Sequence, residues 1–304
     1  MPKGTTKASA EHPFASIVVP AYNNRVGLQK VVQAMLELEY PGQYEVLVVN
    51  DGSTDGTREM LEREFGGMER VRLFHLPRLG VCRARNTGIR AAKGELVFNM
   101  DHDCIPARNW LARMVEGFTE GGPQVGVVTG YGGYGGTSTG FRKKLLDQVG
   151  GYDEEYFYYR EDTDLAFKIM DLGYGFRQVD APYFHDHHIE APKSFLDSIG
   201  YGWKRVFWHK NDVLLWKKHP TRVCAEFLHV KFGFLVDPAY DFGMATGQWK
   251  DKGKFALSSP RGIVFLENKG FLHAFAIALL GLAYVVAVKL VRLYGSIRFG
   301  KLLI

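Results

Sequence analysis

The sequence predicts an α/β fold: a single, mostly parallel sheet with helices on both faces, followed by a helical C-terminal extension. Three observations carry this. Short apolar, β-branched runs alternate with segments of helical periodicity from residue 14 to about residue 190, the pattern of repeated βαβ units. Several of those runs end in turns rich in carboxylate or amide side chains. The longest uncharged apolar stretch, Phe271 to Val288, lies outside the alternating region.

Taken in order, residues 1–13 are polar, carry no apolar leader segment and read as a flexible arm. Ser16 to Pro20 is the first strand, and Val26 to Leu38 has helical spacing. Tyr44 to Val49 is a strand and Thr54 to Phe65 a helix. Val71 to Leu76 is a strand, Cys82 to Ala92 a helix, Glu95 to Met100 a strand and Trp110 to Phe118 a helix. A stretch with six glycines, Thr129 to Gly140, reads either as a surface loop or as a lid over a site. Arg160 to Leu172 is a further helix, and Phe176 to Val179 a strand that leads into His185-Asp186-His187-His188. Domain organisation follows: an α/β domain over 14–192, a basic and aromatic helical segment over 193–236, a polar linker over 237–270 and an apolar helix with a basic tail over 271–304.

Composition narrows the functional class. The hydrophobic share is 46% and the charged share 23% of 304 residues, ordinary for a folded globular chain. The three cysteines, Cys82, Cys104 and Cys224, are far apart and form no CxxC pair. That disfavours a disulfide framework or a zinc knuckle and fits a reducing compartment. A net charge of +5 is too weak to indicate nucleic acid as a partner. HExxH, GxSxG, a Walker A loop and GxGxxG after the first strand are all absent, which argues against metalloprotease, serine hydrolase, P-loop ATPase and nicotinamide dehydrogenase chemistry.

Ligands of open parallel sheets bind beyond the carboxyl ends of the strands. Three such ends here are Pro20-Ala21-Tyr22-Asn23, Asn50-Asp51-Gly52-Ser53-Thr54-Asp55 and Asp101-His102-Asp103. Two carboxylates at i and i+2 after a strand suit a hard divalent cation that bridges to phosphates, or serve as solvated turn acids. Asp51 at a strand tip accepts from a base or ribose, or belongs to a helix cap. Glu161-Asp162 follows the aromatic run Tyr156 to Tyr159 and is either a desolvated general base or a pair of first-turn acids favoured by the helix dipole. His185 and His187 share one side if the segment is extended, as metal ligands or exposed loop residues.

In order, Val18-Val19-Pro20-Ala21-Tyr22-Asn23, Val48-Val49-Asn50-Asp51-Gly52-Ser53, Ala84-Arg85-Asn86-Thr87-Gly88, Asp101-His102-Asp103 and Gly151-Tyr152-Asp153 with Glu161-Asp162 resemble a family 2 glycosyltransferase of the GT-A fold. The resemblance covers residues 14 to 190. It implies an inverting enzyme that uses a nucleoside-diphosphate sugar and Mn2+ or Mg2+. It places Asp51 at the nucleotide base, with Pro20, Tyr22 and Asn23 lining that pocket, and Arg85 and Asn86 near the nucleotide. Asp101 falls at the ribose and metal, Asp103 and His187 at the metal with His185 as competitor. Asp162 is the base, and Tyr152, Asp153 and Glu161 shape the acceptor side. The Q-x-x-R-W motif of processive synthases is absent, which favours one sugar per encounter. A sugar-nucleotide pyrophosphorylase needs a glycine-rich basic loop where Pro20-Ala21-Tyr22-Asn23 stands. A silent sugar-binding scaffold on the membrane has no need of Asp101, Asp103 and Asp162.

The tail points to lipid. Phe271 to Val288 holds 18 residues without Asp, Glu, Lys or Arg and is about 27 Å long as a helix, close to the ~30 Å hydrocarbon core. Its apolar character all round implies that it spans a membrane or lies buried in protein. Lys289, Arg292, Arg298 and Lys301 follow with no acid among them. From Lys193 to Arg222 there are seven basic residues against two acids, suited to an anionic lipid surface or to a helix packed on the α/β domain. Together these features predict a membrane-associated enzyme, its catalytic domain facing the cytosol, with a glycan or lipid-linked acceptor.

Overall fold

The structure is a computed structural model that describes residues 12–130, 133–186, 194–246, 254–259, 262–267 and 270–304. Two compact units divide the chain, residues 1–186 and 187–304.

The first unit carries the alternating pattern. Strands β1 (Ala15–Ala21), β2 (Tyr44–Asp51), β3 (Val71–Leu76) and β4 (Leu96–Asn99) alternate with helices α1 (Arg25–Leu36), α2 (Thr57–Phe65) and α3 (Val81–Ala91). β1, β2 and β4 are buried along their whole length, as a sheet covered on both faces requires. Next come β5 (Cys104–Pro106), α4 (Trp110–Gly121), β6 (Val125–Thr129), β7 (Thr139–Arg142), α5 (Lys143–Val149), α6 (Glu161–Asp171), β8 (Gly175–Gln178) and β9 (Tyr183–His185). The main sheet has seven strands in the order β3-β2-β1-β4-β7-β6-β8. Only β7 runs against its neighbours β4 and β6, so the sheet is mixed and mostly parallel. β5 and β9 form a separate antiparallel ribbon, with Cys104 opposite His185.

Local chemistry explains the turns at the carboxyl edge. Pro20 is tolerated inside β1 because pairing with β4 stops at Val18, where a missing N–H costs no ladder bond. Asn24 caps α1 by accepting from the Gly27 amide at 3.2 Å. Asn23, in a left-handed conformation, ties the first two tips together: its amide donates to Ser53 Oγ at 3.0 Å, and its Oδ1 accepts from the Thr54 amide at 2.7 Å. Beneath these turns Ile17, Val19, Val46, Val48, Phe98 and Trp110 form part of one buried core.

The second unit contains α7 (Phe195–Trp208), α8 (Lys210–Lys218), α9 (Arg222–Phe227), the hairpin β10 (Val230–Lys231) and β11 (Leu235–Val236), α10 (Pro238–Thr246), the hairpin β12 (Lys254–Ser259) and β13 (Gly262–Glu267), and α11 (Phe271–Phe299). Two expectations change here. The 237–270 stretch is not a bare linker, since it holds α10 and a six-pair hairpin. The boundary falls at 186/187 rather than 192. α11 has one buried side, containing Ile277, Gly281, Val288, Arg292, Gly295 and Phe299. A mean hydropathy of 2.4 over 18 residues makes it long and apolar enough to cross a membrane, yet it is not equivalent all round.

Candidate active site

Parallel strands bring their carboxyl ends to one edge, and reversal of β7 adds the turn that begins β7 to the same edge. The described part of the connection into β7, residues 133–138, is packed rather than loose. Thr137, Ser138 and Thr139 are buried. Thr137 Oγ1 accepts from the Asp101 amide at 3.0 Å, and Ser138 Oγ accepts from Trp110 Nε1 at 2.7 Å. Gly135 has φ of +90°, and a Cβ there would lie 2.5 Å from the Asp162 carbonyl oxygen. Only glycine lets the loop approach the start of α6 this closely.

Arg85 organises the centre. Its guanidinium is buried and donates to Asp101 Oδ1 at 2.9 Å, to Asp162 Oδ1 at 2.9 Å and to Glu161 Oε1 at 3.4 Å. Asp162 Oδ1 also accepts from the Tyr152 hydroxyl at 3.0 Å, which itself accepts from Asn99 Nδ2 at 2.7 Å. Asn86 holds Tyr152 from below, with its Nδ2 on the Tyr152 carbonyl at 2.9 Å and its Oδ1 on the Tyr152 amide at 2.8 Å. Arg85 and Asn86, placed near the nucleotide by the resemblance, thus turn inward, Arg85 holding the start of α6 and Asn86 holding Tyr152. Tyr152 is likewise buried beneath Asp162 rather than open to an acceptor.

One cation faces three carboxylates, so charge is not balanced within the cluster. Loss of water, reinforced by the nearby Asp101 charge, holds Asp162 above the ordinary carboxylate range against the pull of Arg85 and Tyr152. Glu161 is buried, its Oε2 has no hydrogen-bond partner, and burial followed by the Asp162 charge pushes it up to about 7. The Asp162 side chain keeps 20% exposure against 6% for Glu161. Asp162 is the one that reaches the open edge.

Asp101 and Asp103 do not point into one pocket. A turn closed by the Cys104 amide on the Asp101 carbonyl at 3.1 Å separates them. Asp101 turns to Arg85. Asp103 Oδ2 meets His185 Nε2 at 3.3 Å across the β5–β9 ribbon. Ligand atoms of Asp103, Cys104 and His185 all lie within 4.8 Å of one another; the Asp101 carboxylate is outside that group. A carboxylate oxygen and an imidazole nitrogen about 3 Å apart suit adjacent positions on an octahedral Mn2+ or Mg2+. Burial raises the Cys104 thiol far above its usual range, so it stays protonated, and its Sγ lies 3.7 Å from Asp103 Oδ1. The donor set fits a divalent cation held by Asp103 and His185. His187 lies outside the described residues.

At the β2 end, Asp51 accepts from the Leu79 amide at 2.5 Å and the Gly80 amide at 2.8 Å. This folds the 77–80 turn over the site and lays the Arg78 guanidinium 4.4 Å above the Tyr22 ring. Arg78, at φ +41°, was not singled out by sequence; nor were Thr137, Asn99 and Gly135, whose roles arise from contacts far along the chain. Pro20 is buried backbone support. Asp153 caps a turn through the Glu155 amide at 2.8 Å.

A family model described as glycosyl transferase family 2 matches residues 16–187. The chain belongs to glycosyl transferase family 2. Among its relatives, glycosyltransferase AglE of Haloferax volcanii is 38% identical over 120 residues, 39% of this chain and 39% of AglE. The beta-monoglucosyldiacylglycerol synthase of Nostoc sp. is 28% identical over 196 residues, 52% of this chain and 41% of that protein. The chain thus matches about two fifths of the length of these relatives. Among solved structures, mannosyltransferase PcManGT from Pyrobaculum calidifontis, in complex with GDP-Man and Mn2+, superposes with a TM-score of 0.61 at 20% identity, covering 93% of this chain and 88% of that one. That likeness establishes the GT-A fold of the family 2 catalytic unit.

Proposed function

We propose that this chain is a metal-dependent inverting glycosyltransferase. It moves one sugar from a nucleoside-diphosphate sugar to a hydroxyl of a glycan or lipid-linked acceptor at a membrane, with its catalytic domain facing the cytosol. The observation that carries the reading is Asp162: a carboxylate of raised proton affinity, aimed by Arg85 and Tyr152 and still open on one side. Beside it are Asp101 and the Asp103–His185 pair. The relative that makes monoglucosyldiacylglycerol and the Mn2+ complex of the structural neighbour support a lipid-linked acceptor and a divalent ion.

The nucleotide end is assigned to Tyr22, Arg78 and Asp51, where a flat base stacks and donates to a carboxylate. Asp101 takes the ribose side. Asp103 and His185, with His187 as a further candidate, would hold a divalent cation, which would supply positive charge for the leaving diphosphate. Asp162 takes the acceptor hydroxyl proton as that oxygen bonds to C1 and the C1–oxygen bond to the diphosphate breaks. One displacement inverts the anomeric centre, so no covalent sugar–enzyme species is required. Glu161 holds its proton up to about pH 7 and below that pH spares Asp162 a second negative neighbour.

The test measures nucleoside diphosphate released from a donor panel with Mn2+ or Mg2+. Asp162→Asn is expected to lose transfer by 10²-fold or more, within the range of general-base contributions, while nucleotide binding persists. Wild-type turnover in that variant, or full activity in EDTA, would falsify the reading.

A further inference from the structure

We propose that α11 does not cross the bilayer but lies along its surface, with one apolar side sunk into a single leaflet. The proposal rests on the reading that this enzyme works at a membrane, and it names the surface that binds lipid.

Over its C-terminal half the side chains of α11 separate by face, while Phe271, Phe275, Leu280 and Leu282 widen the exposed apolar surface of its N-terminal half. Leu272, Leu279, Val286, Leu290, Leu293 and Ile297 are exposed. Their spacings of seven, seven, four, three and four residues place them in one stripe along the helix. From Leu272 to Ile297 that stripe is about 38 Å long, longer than the ~30 Å hydrocarbon core. An apolar stripe of this extent on a soluble surface marks an interaction site.

The opposite face is fastened to protein by charge. Arg292 is buried and donates to Asp212 of α8 at 3.1 and 3.0 Å and to Asp241 of α10 at 2.7 and 3.0 Å. Lys289 stands 3.2 Å from Asp241 and also donates to the Val236 carbonyl. His209 bridges Asp212 at 2.8 Å and the Tyr284 hydroxyl at 3.0 Å. Ions in hydrocarbon are costly and rare, so α8 and α10 belong at the water side of α11.

Chain connectivity excludes a crossing. β11 sits at the C-terminal end of α11, because the Val236 amide donates to the Ile304 carbonyl at 2.6 Å. α10 then runs back along α11, from Asp241 at Arg292 to Thr246 and Phe242 against Gly281. If α11 spanned, the chain between Val236 and Phe271 would have to cross as well. The longest uncharged run between them is eight residues, 242–249, against roughly 20 for a spanning helix. An in-plane helix needs no return crossing.

Charge and a second apolar projection favour lipid over another copy of the chain. Exposed Arg298 adjoins Ile297 at the C-terminal end of the stripe, a cation suited to anionic headgroups. Phe232, 87% exposed, forms the tip of the β10–β11 hairpin. Phe234 of that hairpin accepts from the Ile304 amide at 2.7 Å, so the hairpin adjoins the C-terminal end of α11.

The test places a fluorescent label at Leu272→Cys, Val286→Cys or Ile297→Cys in the full chain, where the three native cysteines are buried. Each is mixed with phosphatidylcholine–phosphatidylglycerol vesicles that carry a quencher near the headgroup or at the acyl-chain end. The proposal expects all three labels to respond to the shallow quencher and not to the deep one. Leu279→Glu and Leu290→Glu should each weaken vesicle binding about tenfold or more, with nucleoside diphosphate release to a soluble acceptor unchanged. Deep quenching at Val286 with shallow quenching at the two ends means that α11 spans, and the proposal falls. Concentration-dependent dimerisation that buries all three labels without vesicles also overturns it. Diphosphate release without any vesicle binding overturns it too, and removes the membrane reading while the catalytic one stands.

Discussion

Glu161→Gln tests the charge count around Arg85. Glu161 titrates near 7 in the folded protein against an ordinary value of 4.5. That shift corresponds to at most about 3 kcal/mol at 1.36 kcal/mol per unit. The sign is fixed by linkage. Below pH 4.5 both folded and unfolded chains hold the proton, and ionisation costs nothing. Between 4.5 and 7 the unfolded chain releases it first, so wild-type stability falls as pH rises; above 7 the full cost is present. Glutamine keeps the shape and cannot ionise. Urea denaturation of both proteins between pH 5 and pH 8 should therefore show the variant gaining stability with pH relative to wild type, by roughly 1–3 kcal/mol at pH 8. Because Glu161 already holds its proton on the acidic limb of the activity profile, that limb should not move in Glu161→Gln. If Glu161→Gln is less stable than wild type at pH 8, Glu161 is ionised and held by Arg85, and the reasoning is wrong.

Gly135→Ala should reduce turnover tenfold or more, with little change in nucleotide affinity. A Cβ at φ +90° collides with the Asp162 carbonyl, and steady-state kinetics beside nucleotide titration separates the two effects. His185→Ala should raise the Mn2+ concentration needed for half-maximal activity at least tenfold, because one of two facing ligands is lost; metal titration of turnover checks it. Arg292→Met should destabilise the second unit by about 3–5 kcal/mol, since Asp212 and Asp241 lose their shared cation; denaturant unfolding with the label at Ile297→Cys reports it.

The alternating half of the fold was legible because each unit states its own period. β3 occupies the run expected for it, and α1 to α4 fall within three residues of their expected bounds. β5, β6, β7 and β9 were not recognised. They are three to five residues long, two beside the glycine-rich stretch, too short for a period to show. The same limit hid the site's second layer. Asp101, Asp103 and Asp162 announce themselves by type and position, but Arg85 looks like a phosphate binder until three carboxylates close around it. The charges in α11 read as a tail after an apolar run, because nothing local shows that Asp212 lies 80 residues away and within reach.

The Asp103–His185 pair is held by a ribbon of three residue pairs whose strands are about 80 positions apart. Neither residue can meet the other until the ribosome has released both. A growing chain that displays β1 to β4 and the proposed nucleotide edge therefore lacks the second of the two proposed cation ligands until His185 has emerged. Pairing at such sequence separation is slow relative to the local βα units before it. The proposed cation site is thus completed late in synthesis, once His185 has joined Asp103.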